Sequence, residues 1–412
     1  MKGKAPRLLI EEWLPAAAIG VECTRERSTG QQPPDKRFHV WWARRPLTAS
    51  RAAVLGSLLP ADFSRDLFEK LLGFWGSSQD IVHGQKLLER AKESGIKVEN
   101  PHGERAFKNL IRENNYIKAH EAARKLWGSE ISVIDPMSGG GSIPLESVRL
   151  GFQTIANEYN PVACSILEAT LDYPFRHGRD LADKGRKWGM ELRKRFNKRV
   201  EKYFPQNGFF PLHCYIFART VPCPDTQHHT PLVPDWHLLK PKTGRRFAAE
   251  PVVDKKKGTW KVKIRELGTG AGQLREPPKP AYSDGKGISL FTDLQIPGDY
   301  IKAKAQAGEM KSALYAVAFK TNKGLEFHPP EEVDLGAIKE AETELKRLRL
   351  GWENTNIIPT ENRYKGDCDR SYVYGLTKWA DMFSPRQLLC MGVLVDELIG
   401  LKKEIIAREG KD

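Results

Sequence analysis

The chain has 412 residues, which is long enough for two or three domains with a substantial buried core. Its 66 Lys and Arg residues outnumber its 52 Asp and Glu residues, and the resulting formal net charge of +14 at pH 7 favours a polyanionic partner such as nucleic acid. Hydrophobic residues make up 40% of the chain and charged residues 29%, a balance that excludes wholesale disorder and a collagen-like chain.

Cysteine spacing and hydropathy predict a cytoplasmic protein with no membrane segment. Basic residues near the N-terminus precede an apolar stretch that ends at Val21, as in a signal peptide, but Glu11 and Glu12 interrupt that stretch. No window reaches the roughly 18 uninterrupted apolar residues that a membrane span needs. A disulfide-stapled secreted fold is not expected, because no framework spacing relates the cysteines, which are Cys23, Cys164, Cys214, Cys223, Cys368 and Cys390.

Taken in chain order, composition and periodicity divide the chain into segments of different character. Near the N-terminus, the apolar pattern over 51–59 predicts a buried helix that stops at Pro60. The segments are an N-terminal region (1–62), a helical insertion (63–128), an α/β core (129–204), a β-rich insertion (205–328) and C-terminal helices that return to the core (329–412).

The α/β core begins with a short apolar strand over 131–134, which leads into a glycine-rich turn. A helix over 145–150 and a second strand over 154–158 follow, and Asn160 with Pro161 provides the cap and first residue of another helix. The order of strand, turn, helix and strand predicts the opening of a parallel α/β sheet.

Two further helices are predicted near the C-terminus. Pro329 and Pro330 precede an amphipathic pattern whose first apolar residue is Val333. Ser384 is a favourable N-cap residue, and Pro385 fits the first turn of the helix that follows it.

The glycine spacing in the turn excludes two common nucleotide-binding patterns. Gly139 and Gly141 have the spacing of the first two glycines of a dinucleotide fingerprint, but Pro144 stands where the third glycine is needed. The Gly-Lys-Ser/Thr string of a P-loop is also absent from this turn. The glycine-rich turn is therefore expected to bind a ligand other than a dinucleotide or a P-loop nucleotide, or to bind no ligand.

Acidic residues end both predicted strands of the core. The carboxylate of Asp135 can accept a hydrogen bond from the ammonium group of a ligand, while the glycines after it leave room for that ligand. The carboxylate of Glu158 can accept hydrogen bonds from both hydroxyls of an adenosine ribose. The alternative is that the glycines form only a tight turn and that Glu158 is an exposed strand-end charge.

The strings 135–146 and 157–163 resemble motifs I and II of the amino-group DNA methyltransferases. More narrowly, 13–27 and 39–51 resemble the conserved N-terminal region, of unknown function, of large prokaryotic adenine-specific DNA methylases that carry a zinc-ribbon insertion. The resemblance runs through most of the chain and includes the strings 215–220, 296–302 and 374–388.

This resemblance implies an α/β fold with a Rossmann-like methyltransferase sheet and helical and β-rich insertions. It also implies that the chain binds S-adenosylmethionine and takes part in methylating an adenine amino group in DNA, in genome modification or restriction-type defence. The cofactor-binding residues that it implies are Asp135, Pro136, Gly139, Gly141, Glu158 and Asn160.

The sequence departs from the family pattern at the catalytic motif. Methyl transfer to an exocyclic amine needs an Asp/Asn/Ser-Pro-Pro-aromatic motif, whose polar groups accept from the amine while the ring stacks on the flipped base. Pro-Pro pairs occur only at 33–34, 277–278 and 329–330, and none precedes an aromatic residue. Family members place the motif downstream of the region that matches 383–398. We therefore expect the N-terminal half of the enzyme, with no catalytic residue in this chain and the motif supplied by a second polypeptide or by the missing C-terminal part.

The zinc ribbon is the second departure, because a ribbon needs two pairs of ligands, typically Cys-x-x-Cys on each of two hairpins. Ligand cysteines are missing from 289–294, where the resemblance places the second pair. A metal-free, degenerate ribbon is therefore expected. The alternative is a partial site made by Cys223, His228 and His229.

Three clusters are candidate contacts to nucleic acid. The range 39–45 sets two tryptophans beside two arginines, which can stack bases and hold phosphates unless the tryptophans belong to the core. The range 184–202 is strongly basic above an apolar stripe, and it is either a phosphate-binding helix or a solvated face. A strand over 259–265 alternates apolar and basic residues. The selected residues are Trp41, Trp42, Arg44, Arg45, Lys187, Arg193, Lys194, Lys261 and Lys263.

Amino-methyltransferases also enclose the methionine end of the cofactor with a Pro-containing segment ahead of motif I. Both 44–46 and 383–386 resemble that segment, so both remain candidates. The alternative to a half-enzyme is a non-catalytic nucleic-acid-binding subunit of a modification or defence complex. A methylase that acts on RNA or protein is a third hypothesis.

Overall fold

A computed structural model describes residues 6–28, 33–109, 111–205, 210–241, 244–268, 270, 274–364 and 370–410. The chain is mixed α/β with several small sheets, and it divides into two compact units, Met1–Gly185 and Arg186–Asp412. Among the described residues, every helix is too short or too polar to span a membrane.

The first unit is mainly helical and holds one short parallel sheet. A π-helical stretch, Glu168–Asp172, leads into its last helix, which continues beyond the end of the unit. Its helices are α1 (Leu9–Glu12), α2 (Ala16–Arg27), α3 (Pro34–Phe38), α4 (Leu47–Leu58), α5 (Arg65–Leu71), α6 (Ser78–Glu93), α7 (Glu113–Trp127), α8 (Ser142–Arg149), α9 (Pro161–Leu167) and α10 (Tyr173–Val200).

The predicted opening of a parallel sheet is confirmed. β1 (Ser132–Asp135) pairs in parallel with β2 (Gln153–Ala156), and α8 connects them. The helix begins three residues earlier than predicted, because Gly141 adopts a left-handed conformation at its N-cap and turns the chain directly into Ser142. Pro144 is tolerated in the first turn, where a backbone N–H has no partner within the helix.

A buried ion pair joins α4 to α8. The side chains of Arg51 and Glu146 are 1% and 0% exposed, and the Arg51 Nε donates to Glu146 Oε2 at 2.5 Å. Arg149 donates to the other carboxylate oxygen at 2.6 Å, and the Arg51 Nη1 donates to the carbonyl of Leu72 at 3.1 Å. The pair therefore ties the helix after the glycine turn to the N-terminal helices.

Apolar packing surrounds this pair. Leu9, Leu55, Phe68, Leu150 and Phe152 are buried in one cluster that draws on α1, α4, α5 and the residues just before β2. Val133 of β1 packs against the same cluster, so one face of the short sheet is covered by helices.

The second unit contains antiparallel sheets and a helical pair. Its strands are β3 (Leu212–Pro222), β4 (His229–Pro231), β5 (His237–Leu239), β6 (Arg246–Asp254), β7 (Thr259–Leu267), β8 (Tyr282–Ser283), β9 (Lys286–Ile288), β10 (Gln295–Ile296), β11 (Lys311–Thr321) and β12 (Gly324–His328). Besides the end of α10, its helices are α11 (Gly298–Gln306), α12 (Glu332–Asn354) and α13 (Pro385–Glu409), with short 3-10 turns at Glu201–Tyr203, Arg370–Tyr374 and Trp379–Met382.

Three sheets are formed by these strands. One has the order β12-β11-β3-β4, the second β5-β6-β7 and the third β10-β9-β8. The ring of Trp236 is fully buried beside Ala249 and Tyr315, and its Nε1 donates to the carbonyl of Lys279 at 3.0 Å. The buried Trp236 satisfies its one polar group in this way.

Local helix signals near the C-terminus are confirmed. Ser384 caps α13 by accepting a hydrogen bond from the backbone N–H of Gln387, and Pro385 is the first residue of the helix. The helix packs against α12 through a cluster that includes Leu345, Trp352 and Leu389. Each helix therefore buries part of its predicted apolar pattern, whereas Val333 of α12 and Leu398 of α13 are exposed.

We expect Arg51→Met to lower the free energy of unfolding of the first unit by about 3 kcal/mol, because it leaves the Glu146 carboxylate buried with only Arg149 as a charged partner. Lys70→Met is the control, because Lys70 pairs with Asp66 on the surface and its loss should cost less than about 1 kcal/mol. Urea titration of both variants measures the difference. Equal losses would contradict the importance of the buried pair.

Candidate functional site

The glycine turn after β1 has a conformation that only glycine adopts readily. Gly139 and Gly141 have φ values of +52° and +80°. A Cβ on Gly141 would also lie 2.7 Å from the Leu167 side chain. The turn is closed by a hydrogen bond from the Gly141 N–H to the Ser138 carbonyl at 2.8 Å, and Ser138 donates its own N–H to the carbonyl of Asn157 at 3.0 Å. These bonds fix the turn against the end of β2.

Asp135 is the last residue of β1 and is half-buried. Its Oδ1 accepts a hydrogen bond from the backbone N–H of Met137 at 3.2 Å. Within the described ranges, Oδ2 has no hydrogen-bond partner, so it is available to a ligand donor. The side chain of Met137 next to it is 86% exposed.

Glu158 bridges the turn and the start of α9. Its Oε2 accepts from the Gly139 N–H at 2.6 Å, and its Oε1 accepts from the N–H groups of Tyr159 and Asn160 at 2.8 and 3.0 Å. The backbone N–H groups of Asn160, Gly139 and Tyr159 together lower the pKa of the Glu158 carboxyl, so it remains ionised at neutral pH. A carboxylate offers about four lone-pair positions, and three are used.

The other two predicted cofactor residues hold the backbone in place. The carbonyl of Pro136 accepts a hydrogen bond from the Asn157 side-chain amide at 3.0 Å. The Oδ1 of Asn160 accepts from the N–H groups of Val162 and Ala163, which confirms its prediction as the N-cap of α9. The two residues therefore position the chain on either side of Glu158.

The structure places the segment 41–44 against the glycine turn. Arg44 Nη2 donates to the Gly140 carbonyl at 3.3 Å, and a Cβ on Gly139 would lie 2.8 Å from the Trp41 Nε1. Trp42 faces solvent with 94% of its surface exposed. Of the two Pro-containing segments that the sequence left as candidates, 44–46 is thus the one that contacts the glycine turn, through Arg44.

The other segment, 383–386, has a visible role within the second unit. Arg386 Nη1 donates to the Tyr203 carbonyl at 3.1 Å, and its guanidinium lies 4.1 Å from the centroid of the Tyr215 ring. The Tyr215 hydroxyl in turn donates to Asp334 at 2.6 Å. These contacts join the starts of β3, α12 and α13.

A cavity of about 820 Å³ adjoins Glu158 on the side of β2 and the π-helical stretch. Its wall is partly apolar, with Leu167, Leu171 and Phe175, and it includes Thr154 as well as Glu158. π-Helical turns occur often at functional sites, because the extra residue per turn redirects side chains. The cavity is within the size range of small-molecule sites in proteins.

Tyr159 is a candidate that the sequence reasoning missed. It directly follows Glu158 and is 98% exposed. An exposed ring beside a strand-end acid can stack on a base whose sugar the acid holds. An aromatic residue directly after the acid is the sequence signal that points to it.

The basic residues chosen as nucleic-acid contacts differ in their surroundings. Arg193 and Lys194 are exposed on α10, whereas Lys187 lies 3.5 Å from Glu409. The predicted apolar stripe of this helix is confirmed by the burial of Trp188 and Val200.

The basic face of β7 is exposed in part. Lys261 and Lys263 both face solvent, but Lys263 stands opposite Glu250 in the sheet, and the neighbouring Arg265 donates to Glu250 at 2.8 Å. In the N-terminal segment, Arg45 and Trp42 are both exposed. The exposed cations therefore lie on both units.

The three weak metal candidates have different neighbours. The Cys223 Sγ lies 3.0 Å from the Ser289 Oγ, the His228 ring packs on Phe291, and the His229 Nδ1 lies 3.1 Å from the Thr220 hydroxyl. In the part of the chain that the structure describes, no three His, Cys, Asp or Glu side chains are grouped to hold a metal ion.

Comparison with known proteins gives one match. Residues 13–71 match a family described as a protein of unknown function, DUF1156. No curated protein matches the chain. No solved structure matches it either. The match covers α2 and α4 and therefore includes Trp41, Arg44 and Arg51, which contact the glycine turn or the helix after it.

Proposed function

We propose that the chain is the N-terminal, cofactor-binding half of an S-adenosylmethionine-dependent methyltransferase that acts on the adenine amino group in DNA. The observation that carries the proposal is the hydrogen bond between the Glu158 carboxylate and the Gly139 N–H. It brings Glu158, which lies two residues after β2, to the glycine turn that follows Asp135. In parallel α/β sheets, ligands bind at this carboxyl edge of the strands.

The residues present fit the cofactor in three places. Asp135 has a free carboxylate oxygen for the ammonium group, and the methionine chain would lie beside the side chains of Trp41 and Arg44, which pack on the glycine turn. Glu158 has one remaining acceptor position for a ribose hydroxyl. Tyr159 and the adjoining cavity offer an exposed ring and an apolar wall to the base. When bound, the cofactor supplies an electrophilic methyl group.

The short sheet of the first unit supports the proposal that a partner polypeptide or a C-terminal part of the enzyme completes the methyltransferase domain. Among the described residues, β1 and β2 form a sheet of two strands, whereas stable sheets normally have more strands or are covered on both faces. Ile134 and Ile155 are opposite each other and are 62% and 48% exposed. Further strands of a Rossmann-like sheet would extend this pair at its edges, and helices packed on the enlarged sheet would cover these side chains.

The chemistry of transfer points the same way. The amine needs hydrogen-bond acceptors and a stacking ring, and the sequence has no Pro-Pro-aromatic string to provide them. In this proposal the chain holds the methyl donor, and the partner polypeptide holds the flipped base. The net charge of +14 and the exposed cations on both units favour DNA as the substrate that the chain and its partner bind together.

We expect the purified chain to bind S-adenosylmethionine and each of Asp135→Asn and Glu158→Gln to weaken binding at least about tenfold, since each loses a charged hydrogen bond. Isothermal calorimetry measures this, with Asp180→Asn, an exposed residue of α10, as the control. Because the pKa of Glu158 is lowered, its contribution should persist as pH falls from 7 to about 5 and disappear only below its depressed pKa.

No heat with the wild-type chain, or equal affinities for all variants, would contradict the cofactor site. If such a chain still binds DNA, the function is that of a non-catalytic nucleic-acid-binding subunit. Circular dichroism of each variant separates loss of binding from loss of folding, which is needed because Glu158 also accepts backbone hydrogen bonds.

We expect the chain alone to transfer no methyl group to DNA, although it binds the cofactor. Adding a polypeptide with an Asp-Pro-Pro-aromatic motif that associates with it should produce N6-methyladenine, detected by mass spectrometry of digested DNA. Methylation by the chain without a partner would contradict the half-enzyme proposal. RNA and protein substrates in the same assay test the other substrate classes.

We expect the double variant Arg193→Gln/Lys194→Gln to bind DNA more weakly and with a smaller salt dependence. Each lost phosphate contact reduces the slope of log affinity against log salt by about 0.9. Fluorescence anisotropy at several salt concentrations measures the slope. Lys86→Gln/Lys92→Gln on α6 removes the same charge from exposed positions. Equal slopes for the two double variants would exclude a specific role for α10.

A further inference from the structure

The backbone turn that begins at Cys223 has a particular hydrogen-bond pattern. The N–H of Cys223 donates to the carbonyl of His228 at 2.9 Å, and the N–H of Gln227 donates back to the carbonyl of Cys223 at 2.9 Å. Gln227 adopts a φ of +60°, which is unusual for a residue other than glycine. The turn therefore closes around its first residue.

A second turn, which begins at Ser289, repeats this pattern at the same offsets. The N–H of Ser289 donates to the carbonyl of Leu294 at 2.9 Å, and the N–H of Asp293 donates to the carbonyl of Ser289 at 3.0 Å. Asp293 has a φ of +62°, at the position that corresponds to Gln227. The two turns are thus copies of one backbone conformation, although their sequences differ.

The first residues of the two turns face each other in the interior. Cys223 and Ser289 are both 0% exposed, and the Cys223 Sγ lies 3.0 Å from the Ser289 Oγ. Phe291 of the second turn packs in the same cluster as Cys223, and the His228 ring of the first turn lies 5.3 Å from it. The contact between the turns is therefore both polar and apolar.

Paired turns of this kind, with two ligands three residues apart on each, suit a tetrahedral metal ion. The corresponding positions here are 223 and 226 on one turn and 289 and 292 on the other, which hold Cys223, Thr226, Ser289 and Thr292. Three of the four are hydroxyl side chains, which are poor ligands for zinc. The residues present do not fit the ion that the zinc-ribbon resemblance implies.

We infer that these four positions have the backbone arrangement of a metal site, and that in this chain a hydrogen bond holds the two turns together in place of a metal ion. The hydrogen bond between Cys223 and Ser289 joins the turns at the point where a shared ion would otherwise join them. A buried thiol and a buried hydroxyl satisfy each other there, so neither is left without a partner. This inference concerns the second unit alone and does not depend on the proposed cofactor chemistry.

The test restores thiolates to the framework. In the full chain, the triple variant Thr226→Cys/Ser289→Cys/Thr292→Cys should bind one Co²⁺ with the visible absorption of a tetrahedral thiolate complex, and Zn²⁺ should displace it. A chelator should lower its melting temperature. The wild-type chain should show neither the absorption nor any effect of the chelator, and it should carry no stoichiometric zinc when purified.

The matched control is Thr226→Cys/Ser289→Cys/Thr343→Cys, which moves one cysteine to an exposed position of α12. The triple variant should bind Co²⁺ at least about tenfold more tightly than this control. If the triple variant is unfolded by circular dichroism, Thr226→Cys/Ser289→Cys must bind Co²⁺ more tightly than Thr226→Cys/Thr343→Cys. Equal Co²⁺ affinities of the triple variant and its control, or of the two double variants where the triple variant is unfolded, would overturn the inference. Zinc in the wild-type chain would also overturn it, if removing that zinc lowers the melting temperature of the chain.

Discussion

The buried contact between Arg51 and Glu146 is the interaction on which the first unit depends. Glu146 lies in the helix that the glycine turn initiates, and Arg51 lies in α4, inside the segment that matches DUF1156. Two charges without exposure are stable only while they remain paired, so α8 cannot shift without α4. The same N-terminal segment places Arg44 on Gly140. The N-terminal region therefore supports the turn, and the two form one structural element.

Local signals in the sequence were sufficient for several parts of this arrangement. The caps at Asn160 and Ser384, the two strands of the core and the buried stripe of α10 follow from residues that are close together in the chain. Their physical causes act over one or two helical turns, or between a strand and the next. The observed bounds of an element differ from the predicted ones where the backbone conformation of a single residue decides them. An example is α8, which begins earlier than predicted because Gly141 is left-handed.

Long-range pairings could not be predicted in this way. Arg51 and Glu146 are 95 residues apart, and nothing in either neighbourhood specifies the other. The same holds for Arg195 and Glu404, whose bidentate contact neutralises part of the charge of a helix that is strongly basic in the sequence. A charge count measures composition, whereas the exposed field depends on which acids the fold brings near. For this reason the sequence overstates the cationic surface of α10, although Arg193, Lys194 and Lys198 are among its exposed cations.

The position of Glu158 has a consequence for how a ligand would be received. In the free chain this carboxylate already accepts hydrogen bonds from the backbone amides of Gly139, Tyr159 and Asn160, so a sugar hydroxyl would in part exchange with existing bonds. Such an exchange nearly balances in enthalpy. Binding of a ligand would then change the protection of these three amides against deuterium exchange. The hydrogen bonds of Glu158 would therefore link ligand binding to the order of the glycine turn.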